Sequence, residues 1–202
     1  MYVPPRFEQA DRGECVALIE REPFGLLVTS GDGGAPFATH LPFLLDRRGD
    51  EAVLVGHVAR ANPHWQAFDG AREALAVFQG PHGYISPAWY ATPGRVPTWN
   101  YIAVHAYGVP HIVDDANAAR AAIAALTGRF ESKRSAPWSV DGLSEREIGK
   151  LLNALVVFEM PVARFEGKWK LGQHMAEADR AGAVAGLARE GGDPALAAAM
   201  KL

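Results

Sequence analysis

The sequence predicts an α+β fold: about six antiparallel strands closing into a barrel, with helices packed around it. Three observations carry this reading. Short apolar runs follow one another between Phe24 and Val58, separated by tight Gly- and Asp-rich turns. Segments of the same character return at Glu73–Gln79, Thr98–Val113 and Val156–Leu171. The regular strand–helix–strand alternation of a doubly wound parallel sheet is missing.

The elements follow in order. Asp11 caps a first helix, with Glu14 as its capping-box acid, and the spacing of Cys15, Leu18 and Ile19 turns Cys15 toward the core. Pro23 ends that helix. Phe24–Ser30 is a buried strand, and Gly31-Asp32-Gly33-Gly34 suits a hairpin turn because these residues accept positive φ. Pro36–Leu45 returns as one strand, and Glu51–Val58 follows after a turn at Asp46–Asp50. Asn62 and Pro63 are an N-cap and a first helical residue, with Trp65 and Phe68 forming the apolar face of a short helix. In Thr98–Val113, Trp99, Tyr101, Ala103 and His105 alternate against Asn100, Ile102 and Val104. Asp114 and Asp115 open an Ala-rich helix to about Phe130, and Ser144 with Glu147 forms a capping box for another to Leu155. Residues 1–175 are read as one domain and 176–202 as a C-terminal tail, a single loose helix rich in Ala and Gly.

Composition narrows the function. Twenty Lys and Arg against 23 Asp and Glu give a net charge of −3, which is no electrostatic footprint for nucleic acid or an anionic membrane. No apolar run reaches the length of a membrane span. A single cysteine excludes an internal disulfide and a cysteine-based zinc site, and the seven histidines show no HExxH pattern. No basic and apolar leader is visible at the start, so the expected compartment is the cytoplasm. GxSxG, the P-loop and a GxGxxG before a helix are all missing from the sequence.

Four segments have the residues for chemistry. In Gly56–Pro63 a strand runs into a helix start with Arg60 just before the cap. That reads either as a phosphate seat or as an ordinary cap with a surface arginine. Gln79–Tyr90 is a Gly, Pro and aromatic loop that either lines a pocket or plugs the core. Trp99 can stack on a flat ring and Asn100 can read a heterocycle edge, or the Trp belongs to the barrel core. Lys168 and Lys170 flank Trp169 on a strand end, as a binding edge or a solvated edge strand.

Taken in order, MYVPPRF, PFGLLVTS, THLPF, HVARANPHW, GPHGYISPAWY, VPTWNYIAVHAYG and FEGKWKLGQH resemble the PaiB-like family over about residues 1–175. The match departs from the family pattern at Pro5-Arg6, where a small residue or His is expected before the Phe. The resemblance implies a six-stranded antiparallel FMN-binding split β-barrel, a homodimer with FMN at the subunit interface, and negative regulation of transcription. DNA enters by that likeness only. The barrel's enzymes imply an alternative, a flavin-dependent oxidoreductase acting on a small molecule. For the cofactor site the resemblance singles out Thr39, His40, His57, Arg60 and Asn62, then Trp99, Asn100, Lys168, Lys170 and Gln173. No metal site and no catalytic residue is implied.

Overall fold

The structure is a computed structural model of the chain and describes residues 1–31 and 34–201. Its strands are β1 (Glu8–Gln9), β2 (Phe24–Thr29), β3 (Phe37–Pro42), β4 (Leu44–Arg48), β5 (Glu51–Ala59), β6 (Ala74–Ile85), β7 (Thr98–Gly108), β8 (His111–Ile112) and β9 (Leu155–Lys170). Its α-helices are α1 (Arg12–Arg21), α2 (Ala116–Glu131), α3 (Glu145–Asn153), α4 (Glu177–Arg189) and α5 (Pro194–Ala199). Among the described residues the sheet has nine strands, in the order β3-β2-β6-β7-β9-β5-β4, with β1 and β8 each also paired to β9.

The α+β class and antiparallel pairing agree with the sequence, but the strand number is nine instead of six. The expected strand Pro36–Leu45 divides at Phe43. That residue leaves the ladder, bonds the Pro23 carbonyl through its N–H (2.8 Å) and drops into the core. The run Thr98–Val113 divides at Val109-Pro110, where proline has no N–H to give a ladder. β1 is only two residues long and leaves no periodicity to detect. Conversely, β6 runs on to Ile85 through a segment that composition marks as loop. Gly80 explains this: a Cβ there would lie 2.8 Å from Leu18 Cδ1 and 3.2 Å from Ile102 Cβ, so glycine lets the strand pass. The turn expected at Gly31–Gly34 falls partly on Asp32 and Gly33, outside the described residues; β2 and β3 on either side of it pair from Phe24↔Pro42 to Thr29↔Phe37.

The chain forms two compact units. One comprises Met1–Leu18, Gln79–His105 and Glu166–Leu202, the other Ile19–Phe78 and Ala106–Phe165. The core of the second is a cluster of rings: Phe43 meets Phe78 edge-on at 5.3 Å and Phe158 at 6.3 Å. Gly56 makes room for them, since a Cβ there would come within 2.9 Å of the Phe158 ring. On the same unit α2 lays Ala119 and Ile123 on Val157, and α3 starts with the Ser144–Glu147 capping box read from the sequence.

In the first unit Cys15 is buried as its spacing suggests, and burial with nearby Asp11 and Glu14 pushes its thiol up to about 11. The tail is neither single nor loose. Gly191, at φ +71°, ends α4, and Asp193 caps α5 by accepting from the Ala195 N–H at 2.8 Å, with Pro194 at its first position. Leu196 and Met200 are fully buried. Gly182 and Gly186, one turn apart on α4, leave the space that Trp89 fills, and Trp89 Nε1 donates to Glu190 at 2.9 Å. No helix among the described residues is long and apolar enough to cross a membrane.

Candidate functional site

The second unit assembles a polar network around His64. The short 3-10 turn Pro63–Ala67 holds it, with Asn62 Oδ1 accepting from the His64 N–H at 3.0 Å. Both ring nitrogens are engaged: Nε2 lies 3.0 Å from Thr29 Oγ1, and Nδ1 lies 2.8 Å from Thr39 Oγ1. Asn62 Nδ2 donates to the same Thr39 hydroxyl at 3.2 Å. Phe37 and Phe68 pack on the imidazole, which burial holds neutral by lowering its pKa. So Thr39 and Asn62, picked from sequence, do meet, and both bond His64, which the sequence reading passed over along with Thr29 on its far side. Thr29 had the signal of a polar residue closing an apolar strand; His64 follows directly on the cap it completes.

The other predicted residues of this unit are dispersed. His40 stacks on Phe24 at 5.9 Å. His57 sits on β5 opposite Val157, and its buried Nδ1 has no hydrogen-bond partner among the described residues. Arg60 is the largest departure from expectation. Its guanidinium donates to the carbonyls of Asn153 (2.8 Å) and Leu155 (2.7 Å), at the C-terminal end of α3, where the helix exposes unpaired carbonyls. The helix start read at Asn62 and Pro63 is present, as a five-residue 3-10 turn capped by Asn62, but the Arg60 side chain does not point to it. Replacing Arg60 by Ala is therefore expected to lower stability by about 1–2 kcal/mol through loss of this cap. Thermal melts of the unliganded protein check it; an unchanged midpoint would show that the cap contributes nothing.

The first unit contains a cavity of about 270 Å³. Its walls come from the N-terminal turn, the Tyr90–Asn100 segment, the end of β9 and α4. Asn100 and Lys170 line it, as do Arg6, Arg95, His174 and Arg180, which sequence reading did not select. Lys170 Nζ donates to the Trp99 carbonyl at 2.7 Å and to Thr98 Oγ1, and burial with nearby Lys168 lowers its pKa. Gln173 braces the strand end, accepting from the Leu171 N–H at 2.9 Å and donating to the Trp169 carbonyl. Lys168 is buried between Tyr2 and Tyr101, 5.2 Å from the Tyr101 ring, and donates to the Tyr2 carbonyl. Trp99 is 49% exposed and stacks on His82. Arg95 is held by the fully buried Asp179, whose carboxylate accepts from the Thr92 N–H at 2.8 Å and from Arg95 Nε at 3.2 Å. Those two partners, the Thr92 N–H first, keep Asp179 ionised below the usual carboxylate range.

The antiparallel sheet resembles those of solved flavoproteins. The FAD and heme binding protein from Mycobacterium smegmatis superposes with a TM-score of 0.61 at 21% identity, covering 81% of this chain and 73% of that one. The flavocytochrome Anf3 from Azotobacter vinelandii gives 0.61 at 17%, covering 81% and 69%. At these identities what is shared is the fold. Residues 1–164 match the family described as "Putative FMN-binding domain". The Bacillus subtilis (strain 168) "Protease synthase and sporulation protein PAI 2" is 35% identical over 89% of this chain and 85% of its own. An uncharacterized protein of Emericella nidulans is 30% identical over 96% and 92%. The chain belongs to this FMN-binding, PaiB-like family, and FMN is the cofactor that membership assigns to it.

Proposed function

We propose that the protein is a homodimer that holds FMN and acts as a negative regulator of transcription, as the PaiB-like likeness implies. The observation that supports a flavin seat is on β5. A buried imidazole nitrogen, His57 Nδ1, is left without a partner beside a strand that leads into Arg60 and Asn62. Buried polar atoms are nearly always paired, and the flavin ring edge offers both donors and acceptors. Thr39, Asn62, His57 and Arg60 are the residues we assign to the cofactor, together with His40 on β3, although the chain leaves His40, His57 and Arg60 apart from the Thr39–Asn62 network. Arg60 keeps three guanidinium N–H groups beyond the two given to α3, enough to meet a phosphate. Bound FMN supplies electron or hydride transfer at its ring.

Support for the homodimer lies in exposed aromatics. Trp99 and Tyr84, neighbours at 6.3 Å, are each about half exposed, as suits the core of an interface with a second copy. Light scattering should then give about twice 21.7 kDa. The cationic cavity favours a second reading, a flavin-dependent oxidoreductase acting on a small molecule, since a regulator that reads only flavin state does not require a separate ligand cavity.

Titration of FMN with an absorbance readout tests the first claim; an unshifted flavin spectrum at saturating protein defeats it. A gel shift on the DNA upstream of the protein's own gene, repeated at rising salt, separates regulator from enzyme. A specific complex that weakens steeply with salt marks direct binding through phosphate contacts. No shift at low salt removes the regulatory reading and leaves the oxidoreductase.

A further inference from the structure

The cavity of the first unit has a charge balance that the rest of the protein does not explain. Arg6, Arg95, Lys170 and Arg180 line it, and among the described residues the carboxylate engaged with them, Asp179, is already committed to Arg95 and the Thr92 N–H. Arg6 lies over the Phe7 ring, and neither Arg6 nor Arg180 has an ion pair among the described residues. Like charges gathered around about 270 Å³ repel one another unless something of opposite sign enters. His174, also on the wall, is pushed toward its neutral form first by burial and then by Arg6, Lys170 and Arg95.

A second observation points the same way. Asn100 is 97% buried, yet among the described residues its Nδ2 donates to the thioether sulfur of Met200 at 3.5 Å, a weak acceptor. Gly172, at φ +83°, brings the parts together: a Cβ there would sit 3.6 Å from Arg180 Cγ and 3.7 Å from Asn100 Nδ2. A buried amide donor and the stem of Arg180 thus share one wall. The remaining wall, with Phe7, Ile85, Tyr90 and Val96, is apolar or aromatic.

We propose that this cavity binds a small organic acid, its carboxylate held by Arg180, Arg6 and the Asn100 amide and its apolar body packed on Phe7 and Ile85. This goes beyond the FMN reading and does not rest on it: the anion site itself does not require flavin. Guanidinium and carboxylate match as planar forks, and a volume of about 270 Å³ suits a single ring or a short branched chain.

The test uses benzoate as probe and benzamide, its neutral isostere, as control. Calorimetric titration of the full chain should give saturable 1:1 binding of benzoate per subunit, with benzamide at least about tenfold weaker, the effect of losing one charge-assisted hydrogen bond. Arg180→Met and Arg6→Met should each weaken benzoate about tenfold while the FMN affinity, followed by flavin absorbance, stays within a factor of about two. Equal binding of both probes, or of neither, overturns the proposal. So does a parallel loss of FMN in these variants, which would make the cations a seat for the cofactor's phosphate. If FMN does not bind the unaltered chain, the flavin reading fails while the benzoate result still stands or falls by itself. Arg180→Lys checks folding: it keeps the charge and should recover part of the affinity.

Discussion

Replacing Gly182 by alanine is expected to destabilise the protein by about 2 kcal/mol, against the ordinary trend for such a change. Inside a helix alanine is favoured over glycine by about 1 kcal/mol, because glycine loses more backbone freedom on folding. At Gly182 the new methyl would sit 2.0 Å from the Trp89 carbonyl oxygen, a backbone atom that no side-chain rotation can move. Overpacking of this kind costs roughly 1–3 kcal/mol or more, so it outweighs the helix gain. Gly186→Ala should behave likewise, since its methyl would lie 2.2 Å from the Trp89 ring. Gly149, on α3, is the internal control: nothing lies within 4 Å of its Cβ position, and Gly149→Ala should stabilise by up to about 1 kcal/mol. Urea denaturation of the three variants checks the pattern, and a stabilised Gly182→Ala would show that α4 does not rest on Trp89. The consequence reaches the cavity, because Arg180 and Ala183 project from the same turn of α4. A helix lifted from Trp89 moves that wall, so Gly182→Ala should also weaken anion binding.

Local signals explain what was legible in the sequence. The Ser144–Glu147 box, the Asp115 cap and the alternation along β7 all depend on neighbours within a few residues, and all appear as read. The strand breaks depend instead on distant partners. Phe43 leaves its strand because Phe78 and Phe158 hold its ring, and nothing near it in sequence announces them. The same holds for the tail: its alanines and glycines look loose until Trp89 is brought against them. Of the residues singled out for the cofactor, Thr39 bonds Asn62, and Asn100 and Lys170 line one cavity. Arg6, Arg180 and Asp179, which lie at or beside that cavity, are far apart in sequence in segments with no motif. Arg60 was picked for its place before a helix start, but its side chain reaches back to a helix end that comes almost a hundred residues later.

Acid should weaken the fold in two separate windows, and the upper one belongs to histidine. Burial is the first cause that lowers the pKa of His57, His64, His105 and His174. In the unfolded chain each returns to about 6.5. Between the lowered folded value and about 6.5 the unfolded state binds more protons, so stability rises with pH across that interval and is complete above it. Falling pH therefore removes stability from about pH 6.5 downward, well before the carboxylates respond. Glu147, lowered by its Ser144 hydrogen bonds, and Glu159, lowered chiefly by Arg48, contribute only as pH falls below about 4.3, the ordinary value for Glu. The largest share falls to His64, because it is fully buried and both its nitrogens are engaged by threonine hydroxyls. A neutral ring can donate to one hydroxyl and accept from the other; a protonated ring must donate to both and charge a buried site. The urea midpoint should thus be level from pH 8 to about 7, fall clearly between about 6.5 and 5, and fall again below about 4. His64→Gln, which keeps a donor and an acceptor without a titrating group, should flatten the upper step even though the variant starts less stable. A midpoint that stays level down to pH 5 would mean that these imidazoles are not held neutral in the fold.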